Sequence, residues 1–188
     1  MPNFRPARPE DYVAIRVLLA GQALPSEDVV PDEERRRFHE IEQDGQILGC
    51  AGLEVYGTDA ILRSVAVTPS ARGGGLGRAL VGIAERDAAA LGVQRLFLLT
   101  TNAARYFSRI GYRPCARSTA PPPVQASSQF SRLCTVAELL RSTSQRPHDS
   151  LTSNATSPRR PRCNRFTNAG SDTSRTKRGN TMVRPELV

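Results

Sequence analysis

The spacing of apolar positions changes several times along the chain, and each change marks an element. Tyr12, Ile15, Leu18 and Leu19 recur at helical spacing and end near Gly21. Pro9 suits a first helical turn, and Glu10 and Asp11 favour the positive end of the helix dipole. Before this helix, Asn3 to Pro6 predicts a short strand. After it, Leu24 to Glu34 is acidic and carries Pro25 and Pro31, which predicts a loop or short helix. Arg37 to Gln43 and Gln46 to Tyr56 flank Asp44-Gly45, a strong hairpin signal. Gly57-Thr58-Asp59 turns the chain into a further strand, Ala60 to Val67. A glycine-rich loop, Arg72 to Gly77, leads into a helix over Leu76 to Leu91, closed by Gly92. Gln94 to Thr100 predicts a buried strand, Asn102 to Arg109 a short helix, and Tyr112 to Ser118 the last strand. The pattern is that of an α/β domain with a strand–helix–strand unit at its centre.

The periodicity fades after Cys134. Thr135 to Leu140 is a weak apolar run, and Ser, Thr, Asn, Pro and Arg dominate from Arg141 to the C-terminus. The reading is therefore one domain over residues 1–134 and a basic tail over 135–188, too polar to offset its ordering entropy. The chain has 188 residues, 39% of them hydrophobic, which allows one domain with a real core. Most of the +8 formal charge lies in the tail. A nucleic-acid arm would need aromatic side chains to stack on bases, and the tail offers only Phe166. No apolar run approaches the roughly 20 residues of a membrane helix. MPNFRPARPEDY has no secretory pattern. Cys50, Cys115, Cys134 and Cys163 form no CxxC pair, and with only His39 and His148 beside them no metal site is expected. These features predict a reducing, cytoplasmic setting.

The candidate chemistry sits in Arg72-Gly73-Gly74-Gly75-Leu76-Gly77-Arg78. Successive glycines let backbone N–H groups approach an anion without Cβ obstruction. The following helix aims its dipole and orphan donors at the same point. Arg72 and Arg78 add positive charge. The loop is neither GxxxxGK[ST] nor GxGxxG, so the phosphate it suits is not held by either of those motifs. The plain alternative is a glycine-rich turn that caps a helix.

Arg72-x-x-Gly75-x-Gly77, after Val65-Ala66-Val67-x-Pro69, resembles the acetyl-CoA signature of the GNAT N-acetyltransferases. Leu96 to Thr100, Ala103 to Phe107 and Gly111-Tyr112 resemble the second half of that family, in the right order. GCAGLEVYG, LRSVAV, LFLLTT and FSRLC are similar to its arsenic-resistance branch, whose members acetylate small amino acids carrying arsenic or phosphorus acid groups.

The resemblance implies a mixed sheet of six to seven strands flanked by about four helices, splayed between its fourth and fifth strands. It implies acetyl-CoA as co-substrate. The pantetheine arm would lie against Val65, Ala66 and Val67, and the pyrophosphate against Arg72, Gly73, Gly74, Gly75, Leu76, Gly77 and Arg78. An amine would attack directly, without a covalent enzyme intermediate. Two positions depart from the pattern. Phe107 stands where a proton-donating tyrosine is frequent, with Tyr106 one helical step, about 100°, away. Thr100 stands where an asparagine is frequent. A thiolate exit through solvent or backbone donors is therefore expected.

Glu54 and Asp59 are the candidate bases, Glu54 preferred. Arg63 is charged within an apolar strand, so it must pair with an anion. That anion is either Glu54 or an acidic substrate. Arg35, Arg36 and Arg37 read as a solvated charge run beside Asp32 to Glu34. The family's seventh strand is not evident after Cys134, and the tail reads as an out-of-frame extension.

The leading function is N-acetylation of a small, acidic, amino-acid-like amine. The alternatives are acetylation of a protein N-terminus or lysine, or a non-catalytic CoA- or nucleic-acid-binding module. A homodimer is compatible with either enzymatic reading.

Overall fold

A computed structural model describes residues 1–31, 34–133 and 137–143, all within one compact unit, Met1–Arg146. Seven strands form one sheet: β1 (Asn3–Pro6), β2 (Arg36–Gln43), β3 (Gln46–Tyr56), β4 (Asp59–Val67), β5 (Arg95–Thr100), β6 (Arg113–Pro114) and β7 (Glu138–Thr143), in the order β1-β2-β3-β4-β5-β7-β6. Four α-helices accompany it among the described residues: α1 (Tyr12–Ala20), α2 (Leu76–Ala90), α3 (Ala104–Arg109) and α4 (Pro122–Gln125). The hairpin β2–β3 turns at Asp44-Gly45 as its sequence demands, both residues at positive φ.

Each face of the sheet has its own apolar cover. Leu80, Val81, Ala84 and Ala88 of α2 and Phe107 of α3 pack with Leu53, Leu62, Leu96 and Leu98. On the other face Tyr12, Ile15 and Leu19 of α1 pack with Phe38, Cys50 and Ala66, while Val124 of α4 joins Ile61, Phe97 and Leu139. Alternation along the strands sends neighbours such as Leu96 and Phe97 to opposite faces.

Among the described residues only one strand pair is parallel, and it is short. β4 and β5 pair over Asp59↔Arg95, Ala60↔Leu96 and Ile61↔Phe97, and then separate. The closed end is stapled by Arg95, whose Nε and Nη2 donate to the two carboxylate oxygens of Asp59 at 2.6 and 2.9 Å. At the open end β4 carries a bulge. Cys50 faces Ala66 and Gly52 faces Arg63, so Ser64 and Val65 together oppose Ala51. Ser64 sits at φ 53°, in the left-handed region that L-residues rarely adopt. The Cys50 thiol donates to its carbonyl at 3.3 Å. Burial pushes that thiol up to about 12, so it remains a protonated donor.

The end of the chain departs from the sequence reading. The domain does not stop at Cys134: Glu138–Thr143 is the seventh strand, inserted between β5 and β6. It pairs antiparallel with β5 through all six residues, from Arg95↔Thr143 to Thr100↔Glu138. The weak apolar run was its signal. Leu139 fills one face of the sheet and Leu140 the other, so the segment is apolar through consecutive rather than alternating positions. The expected final strand, Tyr112 to Ser118, is only Arg113–Pro114; one further bond, from the Cys115 N–H to the Leu139 carbonyl at 3.0 Å, follows it before the chain turns at Arg117–Thr119. The expectations for the tail beyond residue 143 lie outside the described residues.

A chain truncated after Cys134 should therefore lose cooperative unfolding, whereas one truncated after Arg146 should keep the melting temperature of the full chain. Leu139 and Leu140 alone remove about 1.5–3 kcal/mol each of burial, against a typical total of about 5–15 kcal/mol. Circular dichroism melts of the two truncations decide it, and a native-like melt for the shorter chain would contradict the role given to β7.

Candidate functional site

Where β4 and β5 part, a cleft of about 100 Å³ opens between them. Leu62 to Val65 form one wall, Leu98 to Thr100 the other, and Asn102, Ala103 and Phe107 close one side. Gln22 and Leu24, from the turn after α1, close the opposite side. Neither wall has a strand partner across the gap, so extended backbone on both sides is available to a strand-like ligand. Thr100 is tied down at its end, its Oγ1 accepting the Ala103 N–H at 3.0 Å.

The glycine loop comes directly after β4. Gly75 caps α2 at φ 77°, and the first intrahelical donor is Ala79, bonding the Gly75 carbonyl at 3.0 Å. The N–H groups of Leu76, Gly77 and Arg78 thus precede the helical ladder and point out of its N-terminus. A Cβ built on Gly73, Gly74 or Gly75 would meet no atom within 4 Å, so this concavity is open to an anion. Arg78 stands at the first turn. Arg72 is already committed: its Nε donates to the Val67 carbonyl at 3.1 Å and its Nη2 to Gln22 Oε1 at 2.8 Å. It braces the loop in place, which differs from a guanidinium held free for phosphate.

Phe107 lines the cleft, and Tyr106 is not among the lining residues. Tyr106 instead packs against the α2 side of the core, where its buried hydroxyl has no partner among the described residues. Burial raises its pKa, with Arg78 and Glu85 as the charged neighbours.

Beside the cleft lies a polar cluster that sequence reasoning found only in part. Arg63, with a side chain 1% exposed, donates from Nη1 and Nη2 to the carboxylate of Asp28, at 2.7 and 2.5 Å. Its Nη1 also reaches Glu54 Oε2 at 3.1 Å, and its Nε lies 3.4 Å from Ser64 Oγ. The two anions hold the guanidinium charged and raise its pKa against burial. Glu54 is 3% exposed and also accepts from the Tyr56 hydroxyl. Burial and this bond hold the Tyr56 phenol well above its usual range. Ser128 Oγ donates to Asp28 at 2.7 Å. Gly52 makes the arrangement possible, because a Cβ there would lie 2.9 Å from the Phe38 ring and 3.1 Å from Arg63 Cγ.

Several expectations change as a result. Glu54 does not line the cleft. It lies beside it, in a groove with Arg36, Tyr56 and Ser128. Asp59 is not an available base, being held by Arg95 at the closed end. Arg36 is not part of a solvated run: it is half-buried, with Nη1 donating to the Asp28 carbonyl at 3.1 Å and Nε 3.6 Å from Glu54. The sequence offered no sign of Asp28, Gln22 or Ser128, since their partners lie far along the chain. Among the described residues no cluster of His, Cys, Asp and Glu could hold a metal ion, and no helix is long and apolar enough to cross a membrane.

Residues 34–114, from just before β2 through β6, match the family model of the acetyltransferase (GNAT) domain. The fold is that of a GNAT acetyltransferase domain. An amino-acid acetyltransferase of Azotobacter vinelandii is 35% identical over 111 residues, 58% of this chain and 26% of that protein. The chain thus matches only about a quarter of the length of that curated relative. Among solved structures, N-acetylglutamate synthase from Neisseria gonorrhoeae, complexed with coenzyme A and N-acetyl-glutamate, superposes with TM-score 0.65 at 23% identity, covering 78% of this chain and 36% of that one. Rv2747 from Mycobacterium tuberculosis, in complex with CoA, gives TM-score 0.63 at 25% identity, covering 75% and 98%.

The Arg63 cluster makes a clear stability prediction. Asp28→Asn leaves a buried guanidinium short of one anion and should cost roughly 3 kcal/mol, since breaking a buried pair costs about 3–5 kcal/mol. The Asp28 carboxyl is held well below its ordinary value by Arg63 and Ser128, which together outweigh the opposing effect of burial. A depressed carboxyl stabilises the fold above its unfolded pKa, about 3.9. The difference between wild type and variant should therefore be constant from pH 8 to about pH 5 and shrink as the pH falls below about 4. Urea unfolding across that range tests it, and a pH-independent difference would contradict the pairing.

Proposed function

We propose that this GNAT domain transfers an acetyl group from acetyl-CoA to the amine of a small, acidic, amino-acid-like molecule. The observation that carries the reading is the parting of β4 from β5 after Ile61↔Phe97, directly upstream of a glycine loop at a helix N-terminus. An extended pantetheine arm fits between unpartnered strand edges, and a pyrophosphate fits where the glycines leave open space. In this reading Val65, Ala66 and Val67 face the arm, Thr100 and Phe107 flank it, and Gly73 to Arg78 hold the phosphates. The bulge at Ser64–Val65 turns backbone donors toward the thioester carbonyl, where negative charge develops as the amine attacks.

The acceptor side is assigned to Arg63 and Glu54. Arg63 lines the cleft, and Asp28, Glu54 and Ser64 occupy four of its five N–H donors. Among the described residues one donor is left for an acceptor's acid group, so the contact is a single hydrogen bond rather than a bidentate grip. Glu54 is the proton acceptor for the incoming ammonium, reached from the cleft through water past Arg63, which lines the cleft and touches Glu54. Phe107 has no proton to give, so the departing thiolate is protonated from solvent.

The names of the similar proteins support an amino-acid acceptor over a peptide. The arsenic-resistance resemblance is a narrower form of the same reading, with an arsenic or phosphorus acid in place of the carboxylate. A cytoplasmic setting, where acetyl-CoA is made available, belongs to it as well.

Free-thiol release from acetyl-CoA, measured with amino acids, phosphorus-acid amines and lysine- or N-terminus-bearing peptides, tests the proposal. Turnover is expected with small acidic amines and not with peptides, and turnover confined to peptides would overturn the acceptor assignment. Gly75→Asp should weaken CoA binding about tenfold or more, because its carboxylate opposes a phosphate at the same point. The left-handed backbone at φ 77° strains any side chain there, so the unfolding temperature should fall by a few degrees while the fold is kept. Unchanged CoA affinity in titration calorimetry would remove the loop from the site.

A further inference from the structure

The turn after α1 is built rigidly for a surface connection. Gln22 N–H and Leu24 N–H both donate to the Leu19 carbonyl at 3.0 Å, Ala23 N–H donates to the Ala20 carbonyl, and Ala23 is forced to φ 55°. The two bonds from the Leu24 N–H to the Leu19 carbonyl and from the Ala23 N–H to the Ala20 carbonyl are those of a helix C-cap whose next residue turns left-handed, and they fix the backbone on both sides of Gln22. The side chain so held is that of Gln22, which enters the wall of the cleft.

Its amide orientation is dictated by chemistry. Arg72 has only donors to offer, so the atom facing its Nη2 at 2.8 Å must be the amide oxygen. The amide NH2 therefore faces away from Arg72. It is buried and finds no acceptor among the described residues. Buried amide donors are nearly always satisfied, so one left over in the wall of a binding cleft marks the place of an absent acceptor.

We propose that Gln22 Nε2 donates a hydrogen bond to an amide carbonyl of the pantetheine arm. This rests on the acetyl-CoA reading and goes beyond it by giving the carrier a side-chain contact from outside the sheet and the glycine loop. The arm runs from the bulge at Ser64–Val65 toward Arg72, and Gln22 touches Arg72 while lining the same cleft as Val65. The middle of the arm, where its two amides lie, is the part that passes Gln22. The contact also makes Arg72 a positioning residue, because it fixes which end of the amide faces the ligand.

The test separates the arm from the phosphates. CoA and its 3′,5′-ADP half are titrated by calorimetry into wild type and Gln22→Glu. The substitution keeps an oxygen for Arg72 and removes the donor. CoA should bind about three- to tenfold more weakly, the size of one lost hydrogen bond, with 3′,5′-ADP affinity and the unfolding temperature unchanged. Equal loss for both ligands would overturn the proposal, since Gln22 would then act through the phosphate loop. No loss for either would overturn it too, as water would serve the donor equally well. If Gln22→Glu fails to fold, Gln22→Met replaces it; because Met also frees Arg72, only a loss for CoA beyond the loss for 3′,5′-ADP supports the contact, and no such excess would overturn it. Wild-type protein that binds neither ligand would instead refute the acetyl-CoA reading itself.

Discussion

The extra residue in β4 at Ser64–Val65 is the constraint on which the site depends. β4 pairs with β5 only as far as Ile61, and the cleft opens from Leu62 through the bulge. A bulge raises the local twist, which holds the rest of β4 away from β5. Ser64 occupies a strained backbone position to do so, and the fold surrounds it with restraints. The Cys50 thiol holds its carbonyl, Arg63 beside it is clamped by two carboxylates, and Asp59–Arg95 fixes the register at the closed end. Arg95 is 41% exposed, so that last pair sets geometry more than it adds stability.

The cluster around Arg63 is a consequence of the same bulge. Arg63 is the last residue before it, and its side chain crosses the sheet face that Gly52 keeps clear. A charge placed there must be neutralised, and the chain supplies both Asp28 and Glu54. Such a cluster is a doubtful source of net stability, since desolvation opposes the Coulomb gain. What it provides is specificity of position. The loop bearing Asp28, the strand bearing Glu54 and Ser128 must all dock before the guanidinium is satisfied.

Much of the framework was legible because its signals are local. Asp44-Gly45 set the hairpin, Pro9 and Gly21 bounded the first helix, and the glycines before Leu76 announced the helix terminus at the centre of the site. Arg63 could be singled out from charge in an apolar strand, with Glu54 named as one possible partner. What escaped was set by contacts distant in sequence. Asp28 lies 35 residues from Arg63 and Gln22 lies 50 from Arg72, and the acidic composition of their shared loop does not say which residue pairs with which arginine. β7 escaped for a different reason. A strand buried on both faces lacks the alternation that identifies a half-exposed one, and Leu139-Leu140 beside polar residues looks like the fading end of a domain.

The loop over residues 21–31 connects these two kinds of information. Its Gln22 accepts from Arg72 at the head of the glycine loop, and its Asp28 accepts from Arg63 at the bulge. The two arginines bracket the segment of β4 that faces the cleft, so one short connection braces both ends of the ligand-facing backbone. A rigid strand edge loses little entropy when a ligand pairs with it, which is where preorganisation gains affinity. The same bracing ties the phosphate loop to the acceptor cluster through the short stretch of this loop from Gln22 to Asp28. A change that frees Asp28 therefore disturbs the acceptor side first, whereas a change at Gln22 disturbs the carrier side first. The left-handed residues Ala23 and Ser64 stand at the two points where that loop and that strand meet the cleft.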